Sequence, residues 1–432
     1  MIKQYFKQAL NLLRQQKLFS CIYIAGTALA IATATVFAIS YYIRIAPTYP
    51  ESRRNTTGYL STLCCYGKVE HWQSVWGFNH NFTRDFVSKL KTPQMVSTIF
   101  KGTFNEENFL AGNDGVCDIK VSKASVDTTF FKIFDYEFIH GAPFSSIEFT
   151  DGINKAVITD RLASRLYGTD DVMGKTVKLN YTDYEICGVV RSGSSLNKRS
   201  YGDIFVPYTT VAIVDEDDYD DEGGYIGAFE YIIVSDNLDE VHDELQQMVN
   251  KHNAISTTDS LVIYNQPQTH AVSEFFSAQT TDNITWGEII RKNCLILLVL
   301  LLVPALNLSG MISGRMEMRT AELGVRKSFG ATRSQLLMQI LWENLFLTIA
   351  GGIIGLLLVW IVMYLNQGQI FTLLYNTGFG TPDENNITRE MLFNPAIFLI
   401  DFFICLVLNM LSALIPAWAN LRHPIVQSLK TR

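Results

Sequence analysis

The stretch FSCIYIAGTALAIATATVFAISYYI, Phe19 to Ile43, runs for about 25 residues without a charged side chain. A helix of that length is long enough to cross a hydrocarbon core of about 30 Å. A cleaved signal peptide is the alternative, but its apolar core spans only about 7–15 residues and a small-residue cleavage site follows it, and no clear site follows here. The stretch therefore predicts a transmembrane helix, residues 19–43, in an integral membrane protein.

Three later apolar runs also have spanning length, at residues 289–314, 335–365 and 395–418. Four spans place both termini on one side of the membrane. The short segments on that side carry twelve Lys or Arg residues, whereas the loop 366–394 carries only Arg389. Because positively charged segments stay in the cytoplasm, we expect both termini to be cytoplasmic in a bacterial inner membrane, although Arg291 and Lys292 run mildly against this rule.

The remaining short segments are predicted on the cytoplasmic side. Residues 1–18 place apolar side chains at helical spacing with Lys3, Lys7 and Arg14 opposite them, which is typical of an amphipathic helix lying in the membrane interface, in contact with lipid. Residues 315–334 form a charged segment between the second and third spans, and residues 419–432 form a cytoplasmic tail.

Residues 44–288, between the first two spans, have ordinary globular composition and form the predicted extracytoplasmic domain. KAVIT (155–159) reads as a strand, followed by a helix at 160–167 that Thr159 or Asp160 caps and Gly168 ends. Residues 174–190 alternate as a hairpin, and AFEYIIVSD (228–236) reads as a strand before a helix at 237–252. The predicted fold is therefore four transmembrane α-helices, a large α+β extracytoplasmic domain inserted between the first and second, and an N-terminal interfacial helix.

The sequence argues against several function classes. The net charge is -7, without the basic footprint that nucleic-acid binding requires. GTDDVMGKT (168–176) nearly matches a P-loop, but five residues separate its glycines, Asp170 and Asp171 would repel phosphate, and the segment lies outside the cytoplasm. No HExxH or GxSxG pattern occurs, so we expect no catalytic residue, bound cofactor or metal in this chain, which is not an enzyme by this reading.

Two features of the predicted extracytoplasmic domain leave alternatives open. A disulfide and plain buried thiols are both compatible with the four cysteines of this domain, Cys64, Cys65, Cys117 and Cys187. The acidic run Asp215 to Glu222 has seven acids in eight residues. A calcium loop is conceivable there, but the ligand spacing of an EF-hand is absent and a solvated loop is favoured.

Small and polar residues inside the predicted spans indicate how the helices pack. Two pairs have the GxxxG spacing that lets helices approach closely, within the bundle or in a dimer: Gly310 with Gly314 and Gly351 with Gly355. Asn307 suggests a hydrogen bond between helices. For Glu343 and Asp401, a substrate or proton path is the functional reading, and a packing or interfacial role is favoured because both lie close to a membrane surface.

The charged segment between the second and third spans has the pattern of a separate short helix. Thr320 can cap it, Glu322 lies at its start and can pair with Arg326, and Gly330 can end it. Thr332 and Gln335 then form a capping box that opens the third span. Such a helix suggests docking to a cytoplasmic partner, and an ordinary cytoplasmic linker is the alternative.

The sequence RTAELGVRKSFGATRSQLLMQILWENL, from Arg319, resembles the hallmark of the FtsX/MacB-type permeases of ABC transporters. The positions that match the family pattern are Arg319, Glu322, Gly324, Arg326, Gly330, Ala331 and Glu343, with Leu323 in place of the usual isoleucine. The layout of spans and the sequences VITDRLASRLYGTDDVMGKTVKL and YEICGVV also resemble this family and its periplasmic core domain. The likeness covers nearly the whole chain and is weakest between Tyr49 and Val116.

The resemblance implies a function and a set of partners. The segment would be the coupling helix that sits in a groove of a separate cytoplasmic ATPase subunit, which would itself bind ATP and magnesium. The residues expected to couple to it are Arg319, Glu322, Leu323, Gly324, Val325, Arg326, Phe329 and Gly330. A second permease copy or a paralogue would complete a dimer, and a periplasmic adaptor or outer-membrane component would serve MacB-like export or efflux.

Three other functions remain open at this stage. An FtsX-like transmembrane regulator would activate a cell-wall hydrolase without moving a substrate, and a lipoprotein-release permease would extract a lipoprotein. A membrane receptor would have no ATPase partner. The large predicted extracytoplasmic domain favours the MacB-like reading, because FtsX-type domains are generally smaller. Nothing in the sequence identifies a cargo.

Overall fold

In a computed structural model of the chain, the described residues are 17–69, 72–101, 107–111, 116–211, 224–275, some positions between 287 and 299, and 313–314, 325–326, 328–375 and 395–421. Several predictions fall outside them. These are the interfacial helix up to residue 16, most of the span 289–314, the acidic run Asp215 to Glu222, most of the loop 366–394 and the tail from residue 422.

Nine helices are defined within the described part of the chain. Their bounds are α1 Lys17–Ile45, α2 His80–Asp85, α3 Phe130–Ile133, α4 Ser146–Thr150, α5 Asp160–Tyr167, α6 Leu238–Ile255, α7 His270–Phe275, α8 Arg333–Tyr375 and α9 Pro395–Leu421. Two turns of 3₁₀ helix lie at Val87–Lys89 and Tyr208–Thr210.

Sixteen strands are defined in the same described ranges. They are β1 Thr57–Leu60, β2 Leu63–Gly67, β3 Gln73–Phe78, β4 Met95–Phe100, β5 Asn108–Ala111, β6 Cys117–Val121, β7 Lys123–Val126, β8 Phe138–Gly141, β9 Lys155–Thr159, β10 Thr176–Leu179, β11 Thr182–Val190, β12 Ile204–Pro207, β13 Ile226–Gly227, β14 Phe229–Val234, β15 Asp259–Val262 and β16 Gln268–Thr269.

Three helices in the described residues are long and apolar enough to cross a membrane: Lys17–Ile45, Arg333–Leu365 and Pro395–Leu414. They coincide with the first, third and fourth predicted spans. The third span, Arg333–Leu365, ends where it was predicted to end. Helix α8 itself continues to Tyr375, so the predicted loop from residue 366 is wrong for residues 366–375. The sequence IFTLLY in that extension is apolar and keeps the helix going into what was predicted as a loop.

The described residues fall into two compact units, and the boundary in the first helix lies between Tyr42 and Ile43. The first, the helical unit, holds α1 up to Tyr42 together with α8 and α9. The second, the inserted domain, holds the described residues from Ile43 to Phe275.

Within the helical unit, glycines allow α8 to approach its neighbours closely. A Cβ atom on Gly351 would lie 2.8 Å from the Cβ of Thr27 and 3.1 Å from the carbonyl oxygen of Ile24. A Cβ on Gly355 would lie 2.7 Å from the carbonyl oxygen of Ala28. Both glycines of this GxxxG pair therefore face α1, and only a residue without a side chain fits there.

The inserted domain is organised around one continuous path of strands, in the order β15-β2-β3-β14-β4-β7-β12-β9-β11-β10-β5-β6. Most neighbours are antiparallel, but β9 pairs with β11 and β7 with β12 in parallel. Parallel neighbours need a crossover connection, which for β9 and β11 contains α5 and β10. The domain is mixed α+β, as its sequence indicates.

Three groups of buried side chains form its core. One lies under α6 and includes Val241, Leu245 and Val249. A second gathers the rings of Phe130, Phe134, Phe144 and Phe205 around the middle strands, and a third surrounds α5 and β9 to β12. Apolar burial of this extent is what stabilises a domain of this size.

The local predictions for this domain are confirmed. The Thr159 hydroxyl, rather than Asp160, accepts a hydrogen bond from the Leu162 N–H at the start of α5, and Gly168 ends that helix with φ +71. Strands β10 and β11 form the predicted hairpin. Strand β14 and helix α6 lie where they were predicted, and α6 begins at an Asn237 cap.

All seven cysteines, at described positions throughout, carry free thiols in the structure. Cys64 and Cys65 are buried on β2, which is the arrangement of plain buried thiols. Burial raises the pKa of the Cys187 thiol to about 12, so this group is an inert thiol at neutral pH.

We predict that Gly351→Leu lowers the free energy of unfolding of the helical unit by roughly 1–3 kcal/mol, the usual cost of overpacking. Steric conflict with Thr27 and the Ile24 carbonyl oxygen outweighs the gain of at most about 1 kcal/mol in helix propensity. Denaturant titration of the detergent-purified chain measures this. The control Ile353→Leu changes a residue that is 55% exposed on the same helix and should stay within about 0.5 kcal/mol of the native value. Equal stability of native protein and Gly351→Leu would show that this contact is absent.

Candidate functional site

The short segment before α8, from Val325 to Gly330, has the hydrogen bonds of a helix C-terminus. Val325, Arg326 and Ser328 are helical, and the N–H of Phe329 donates to the Val325 carbonyl oxygen over 3.1 Å. Gly330 follows with φ +91, and the N–H of Ala331 donates to the Arg326 carbonyl oxygen over 3.1 Å. This six-to-one bond across a left-handed residue is the Schellman ending, so the predicted stop at Gly330 is confirmed.

Helix α8 begins two residues later with a reciprocal cap. The backbone N–H of Gln335 donates to the Thr332 hydroxyl over 3.3 Å, and the backbone N–H of Thr332 donates to the Gln335 side-chain carbonyl over 3.0 Å. The predicted capping box is therefore confirmed. Because both ends of the connection are hydrogen-bonded, Gly330 and Ala331 form a short, defined link rather than a loose tether.

A chain of polar side chains runs from the segment into the apolar part of α8. A guanidinium N–H of Arg326 (Nη1) donates to the side-chain oxygen of Gln339 over 2.7 Å, and the Gln339 amide donates to the Glu343 carboxylate over 3.0 Å. Gln339 is 6% exposed and Glu343 3% exposed. The three side chains, here named the polar ladder, tie the segment to the first three turns of α8, because residues four apart lie on one helix face.

An open groove of about 500 Å³ lies beside the polar ladder. Its lining combines apolar side chains with the guanidinium of Arg326 and the amides of two glutamines. The residues that line it are Arg326, Phe329, Gly330, Ala331, Gln335, Leu336 and Gln339. Phe329 is 88% exposed, and Val325, one turn before it, is 44% exposed, so an apolar ring is presented together with the charge of Arg326.

The other predicted coupling residues cannot be placed. Arg319, Glu322, Leu323 and Gly324 lie outside the described residues, and so does the predicted contact between Glu322 and Arg326. Among the described residues, Arg326 donates a hydrogen bond to Gln339, a residue that the sequence analysis did not predict as part of the site. The sequence does contain a feature that points to Gln339. This glutamine lies one turn before Glu343 in an otherwise apolar helix, where a polar side chain needs a hydrogen-bond partner.

The predicted polar and packing residues of the spans are placed in part. Asp401 is buried on α9 and accepts a hydrogen bond from the Thr35 hydroxyl of α1. Asn307 and Gly310 lie outside the described residues. Among the described residues nothing lies within 4 Å of a Cβ built on Gly314, so its role stays a prediction.

The chemistry of the groove is that of a docking surface. It offers an exposed aromatic ring, one fixed cation and hydrogen-bonding amides, and it brings no nucleophile next to a base. In the described part of the chain, no group of three or more His, Cys, Asp or Glu side chains is placed to hold a metal ion. The arrangement can receive a complementary protein surface that offers an apolar pocket and an acidic group.

Two protein families match the chain. The MacB-like periplasmic core domain family matches residues 23–248, and the FtsX-like permease C-terminal family matches residues 294–425. The second match includes the segment, the groove and the polar ladder.

The curated relatives are only moderately similar in sequence. The uncharacterized ABC transporter permease YknZ of Bacillus subtilis is 25% identical over 269 residues, which are 60% of this chain and 59% of that protein. The macrolide export ATP-binding/permease protein MacB of Bdellovibrio bacteriovorus is 27% identical over 210 residues, 47% of this chain and 30% of that protein. The chain thus spans less than two thirds of these relatives.

Among solved structures, the extracellular domain of the YknZ transporter from Gram-positive bacteria aligns with 48% of this chain and 99% of that domain, at 12% identity and a TM-score of 0.33.

We predict that Gln339→Ala lowers the free energy of unfolding by roughly 1–3 kcal/mol, because the Glu343 carboxylate and the Arg326 guanidinium each lose a buried hydrogen-bond partner. Denaturant titration of the detergent-purified chain is the measurement. Met338→Ala, at a position 53% exposed on the next face, should cost clearly less. A double-mutant cycle of Arg326→Ala with Gln339→Ala should give a coupling of at least about 0.5 kcal/mol, and strict additivity would argue against the polar ladder.

Proposed function

Because the chain belongs to the FtsX-like permeases that carry a MacB-like periplasmic core domain, we propose that it couples ATP hydrolysis by a separate cytoplasmic ABC ATPase to movements of its extracytoplasmic domain. The observation that carries this proposal is the groove before α8, with Phe329 exposed at its rim and Arg326 fixed by the polar ladder. ATP and magnesium would be bound by the ATPase. The chain itself is a multi-pass membrane protein, and its termini are proposed to face the cytoplasm.

The groove suits an ATPase contact because it joins an exposed anchor to a rigid connection. A buried aromatic anchor surrounded by polar groups is typical of the residues that dominate binding energy in protein interfaces. Phe329 would fill an apolar pocket of the partner, and Arg326 would face an acidic group there. The Schellman ending and the capping box make the connection between this anchor and α8 rigid. A displacement of the segment therefore also displaces the start of α8.

The helical unit can pass such a displacement on as a rigid body. Helix α8 contacts α1 through Gly351 and Gly355, and the Gly352 position lies against the Phe402 ring of α9. Close-packed helices move together because an interior at native density does not deform continuously. Movement of α8 therefore takes α1 with it, and α1 leads into the inserted domain.

We further propose that the transmitted movement serves export or efflux. Support comes from the relatives, one of which is described as a macrolide export protein and others as pyoverdine export proteins. A second copy of the chain or a paralogue would supply the other half of the transporter, and a periplasmic adaptor or outer-membrane component would receive the cargo. An FtsX-like regulator of a cell-wall hydrolase and a lipoprotein-release permease would use the same coupling. Identifying the partner of the extracytoplasmic domain would distinguish these functions from export.

The test is a truncation of the exposed anchor. Phe329→Ala should lower the affinity for the co-expressed ATPase at least about 30-fold, the loss of a 2 kcal/mol hot spot, because nothing else in the groove replaces the ring. The measurements are co-purification of the ATPase in detergent and its stimulation by the reconstituted chain.

The matched control also truncates an exposed apolar side chain, but in the inserted domain instead of at the groove. Ile147→Ala truncates a side chain that is 72% exposed on α4 of the inserted domain, and it should leave ATPase binding and stimulation unchanged. Native-level binding and stimulation by Phe329→Ala would refute the docking role. A native chain that retains no ABC ATPase under conditions where its folding is verified would refute the coupling function as a whole.

A further inference from the structure

The last turn of α1 is capped by two side chains of the inserted domain, one from shortly after the helix and one from the far end of the domain. The guanidinium of Arg54 donates from Nη1 to the carbonyl oxygens of Ile43, at 2.9 Å, and Ala46, at 2.5 Å. The ring N–H of His270 (Nε2) donates to the carbonyl oxygen of Arg44 over 2.9 Å. The final carbonyls of a helix have no partner within it and carry partial negative charge. A cation and an N–H donor satisfy them here.

Arg54 is held on every side. Its Nε–H donates to the Glu51 carboxylate over 2.7 Å, and Nη2 donates to the side-chain oxygen of Asn197 over 2.8 Å. The other Glu51 oxygen accepts from the Ser200 hydroxyl over 2.6 Å. The side chains of Arg54 and Glu51 are only 3% and 2% exposed. Burial alone would raise the pKa of Glu51, but the Arg54 guanidinium and the hydrogen bond from Ser200 hold it below its usual range, so Glu51 is ionised.

The partners of His270 assign its protons. A carbonyl oxygen only accepts, so Nε2 carries the hydrogen that the Arg44 carbonyl receives. The other nitrogen, Nδ1, then accepts from the Tyr59 hydroxyl, 3.1 Å away. Burial, with the nearby Arg54 and Arg199, lowers the pKa of His270 to about 4, although Glu51 opposes this. The imidazole is therefore neutral at physiological pH.

Tyr59 continues the network into the centre of the sheet. The guanidinium carbon of Arg199 lies 4.0 Å from the centre of the Tyr59 ring, and Arg199 donates to the Glu230 carboxylate over 2.8 Å. Tyr59 lies on β1 and Glu230 on β14, which are paired strands. Burial would raise the pKa of Glu230, but Lys101 and Arg199 lower it to about 2. The cap on α1 is thus fixed to the most buried strands of the domain.

His270 also connects the two ends of the inserted domain. It opens α7, from which the chain runs on toward the predicted span 289–314. The Arg44 guanidinium lies 5.1 Å from the ring centre of Phe275 at the end of α7. The chain's exit from α1 and its return through α7 are therefore bonded to each other, although 226 positions of sequence separate His270 from Arg44.

We propose that this cluster, the junction clasp of Glu51, Arg54, Tyr59, Asn197, Ser200 and His270, is a positioning device that makes the last turn of α1 and the start of α7 move with the inserted domain as one body. It extends the proposed function, on which it rests, by naming the residues through which movement of the helices enters the domain. Stability alone accounts poorly for the clasp, because a buried ion pair returns little net stability relative to apolar packing. Directional hydrogen bonds instead hold the last turn of α1 and the start of α7 in a single arrangement.

The test measures how far the clasp restricts movement at the junction that follows α1. Spin labels are placed on unnatural amino acids, because the chain has seven cysteines, at Leu29 on α1 and Ile147 on α4, which are 64% and 72% exposed. Distances are recorded by pulsed electron resonance on the full chain in nanodiscs, without nucleotide and with its ATPase trapped in the ATP state. Arg54→Gln should broaden the distance distribution at least about twofold in both states, while ATPase binding is kept.

Second variants separate the clasp from simple misfolding. His270→Ala should broaden the distribution as Arg54→Gln does, and His270→Gln, whose amide can donate to the Arg44 carbonyl, should restore most of the native width. The control Arg165→Gln removes an exposed arginine of α5 and should change nothing. A native width in both Arg54→Gln and His270→Ala, with circular dichroism showing a folded chain, overturns the proposal. Broadening by these variants in a chain whose native form stimulates no ATPase would refute the proposed function and leave the clasp standing.

The neutral imidazole predicts a pH dependence of stability. Its folded-state pKa of about 4 lies below the usual 6.5, so between these values the unfolded chain binds more protons and stability falls as the pH falls. The groups that face the imidazole are Glu51, Arg54, Arg199 and Tyr59. The Tm of the inserted domain, followed in the full chain in detergent, should drop by roughly 4–7 °C between pH 7 and pH 5, and His270→Gln should remove most of that drop. An equal drop in both proteins would show that His270 does not carry it.

Discussion

A helix that crosses a membrane has free N–H groups at its start and free C=O groups at its end, and this molecule depends on how two such ends are closed. At the start of α8, Thr332 and Gln335 close the first turn with each other. At the end of α1, Arg54 and His270 close the last turn from within the inserted domain. The first closure is local in sequence, whereas the second combines Arg54, 8 to 11 positions from the carbonyls it caps, with His270, 226 positions from Arg44. Unpaired backbone groups are costly wherever water is scarce, so both closures stabilise the helix ends.

These two closures have a common consequence for function. A helix end that water caps is free to fray and turn, whereas an end held by side chains transmits a displacement to the element that provides them. The segment at Val325–Gly330 is joined without slack to α8, and α8 lies against α1 through Gly351 and Gly355. The last turn of α1 is bonded to strands β1 and β14 through the junction clasp. In the proposed mechanism, the stiff links matter more than any single binding residue, because rigid elements pass on a rigid-body movement.

The features that sequence could predict are those set by neighbours in the chain. Apolar length gave the first, third and fourth spans, and short patterns gave the Thr159 cap, the hairpin of β10 and β11, the Gly330 stop and the capping box. The predicted loop after Leu365 was wrong at its start, because α8 continues as a helix to Tyr375. The second span, the interfacial helix and much of the coupling segment lie outside the described residues and stay predictions.

The junction clasp could not be predicted, because its residues come together only through the sheet. Glu51 and Arg54 fall in the part of the chain that least resembles the family, and their partners Asn197 and Ser200 lie 143 and 149 positions away. A lone histidine such as His270, in a helix of six residues, carries no spacing signal. Likewise, the role of Gln339 follows only from its hydrogen bond to Arg326, which forms across the turn at Gly330.

The central claim is that an ATPase acts on this chain at the groove before α8. Hydrogen exchange on the full chain, alone and in complex with its ATPase, tests it most directly because the native sequence is used. The account predicts slower exchange of the backbone amides from Val325 to Gln335 in the complex, with unchanged exchange in α5 of the inserted domain. Protection confined to other cytoplasmic segments, with native exchange from Val325 to Gln335, would contradict it.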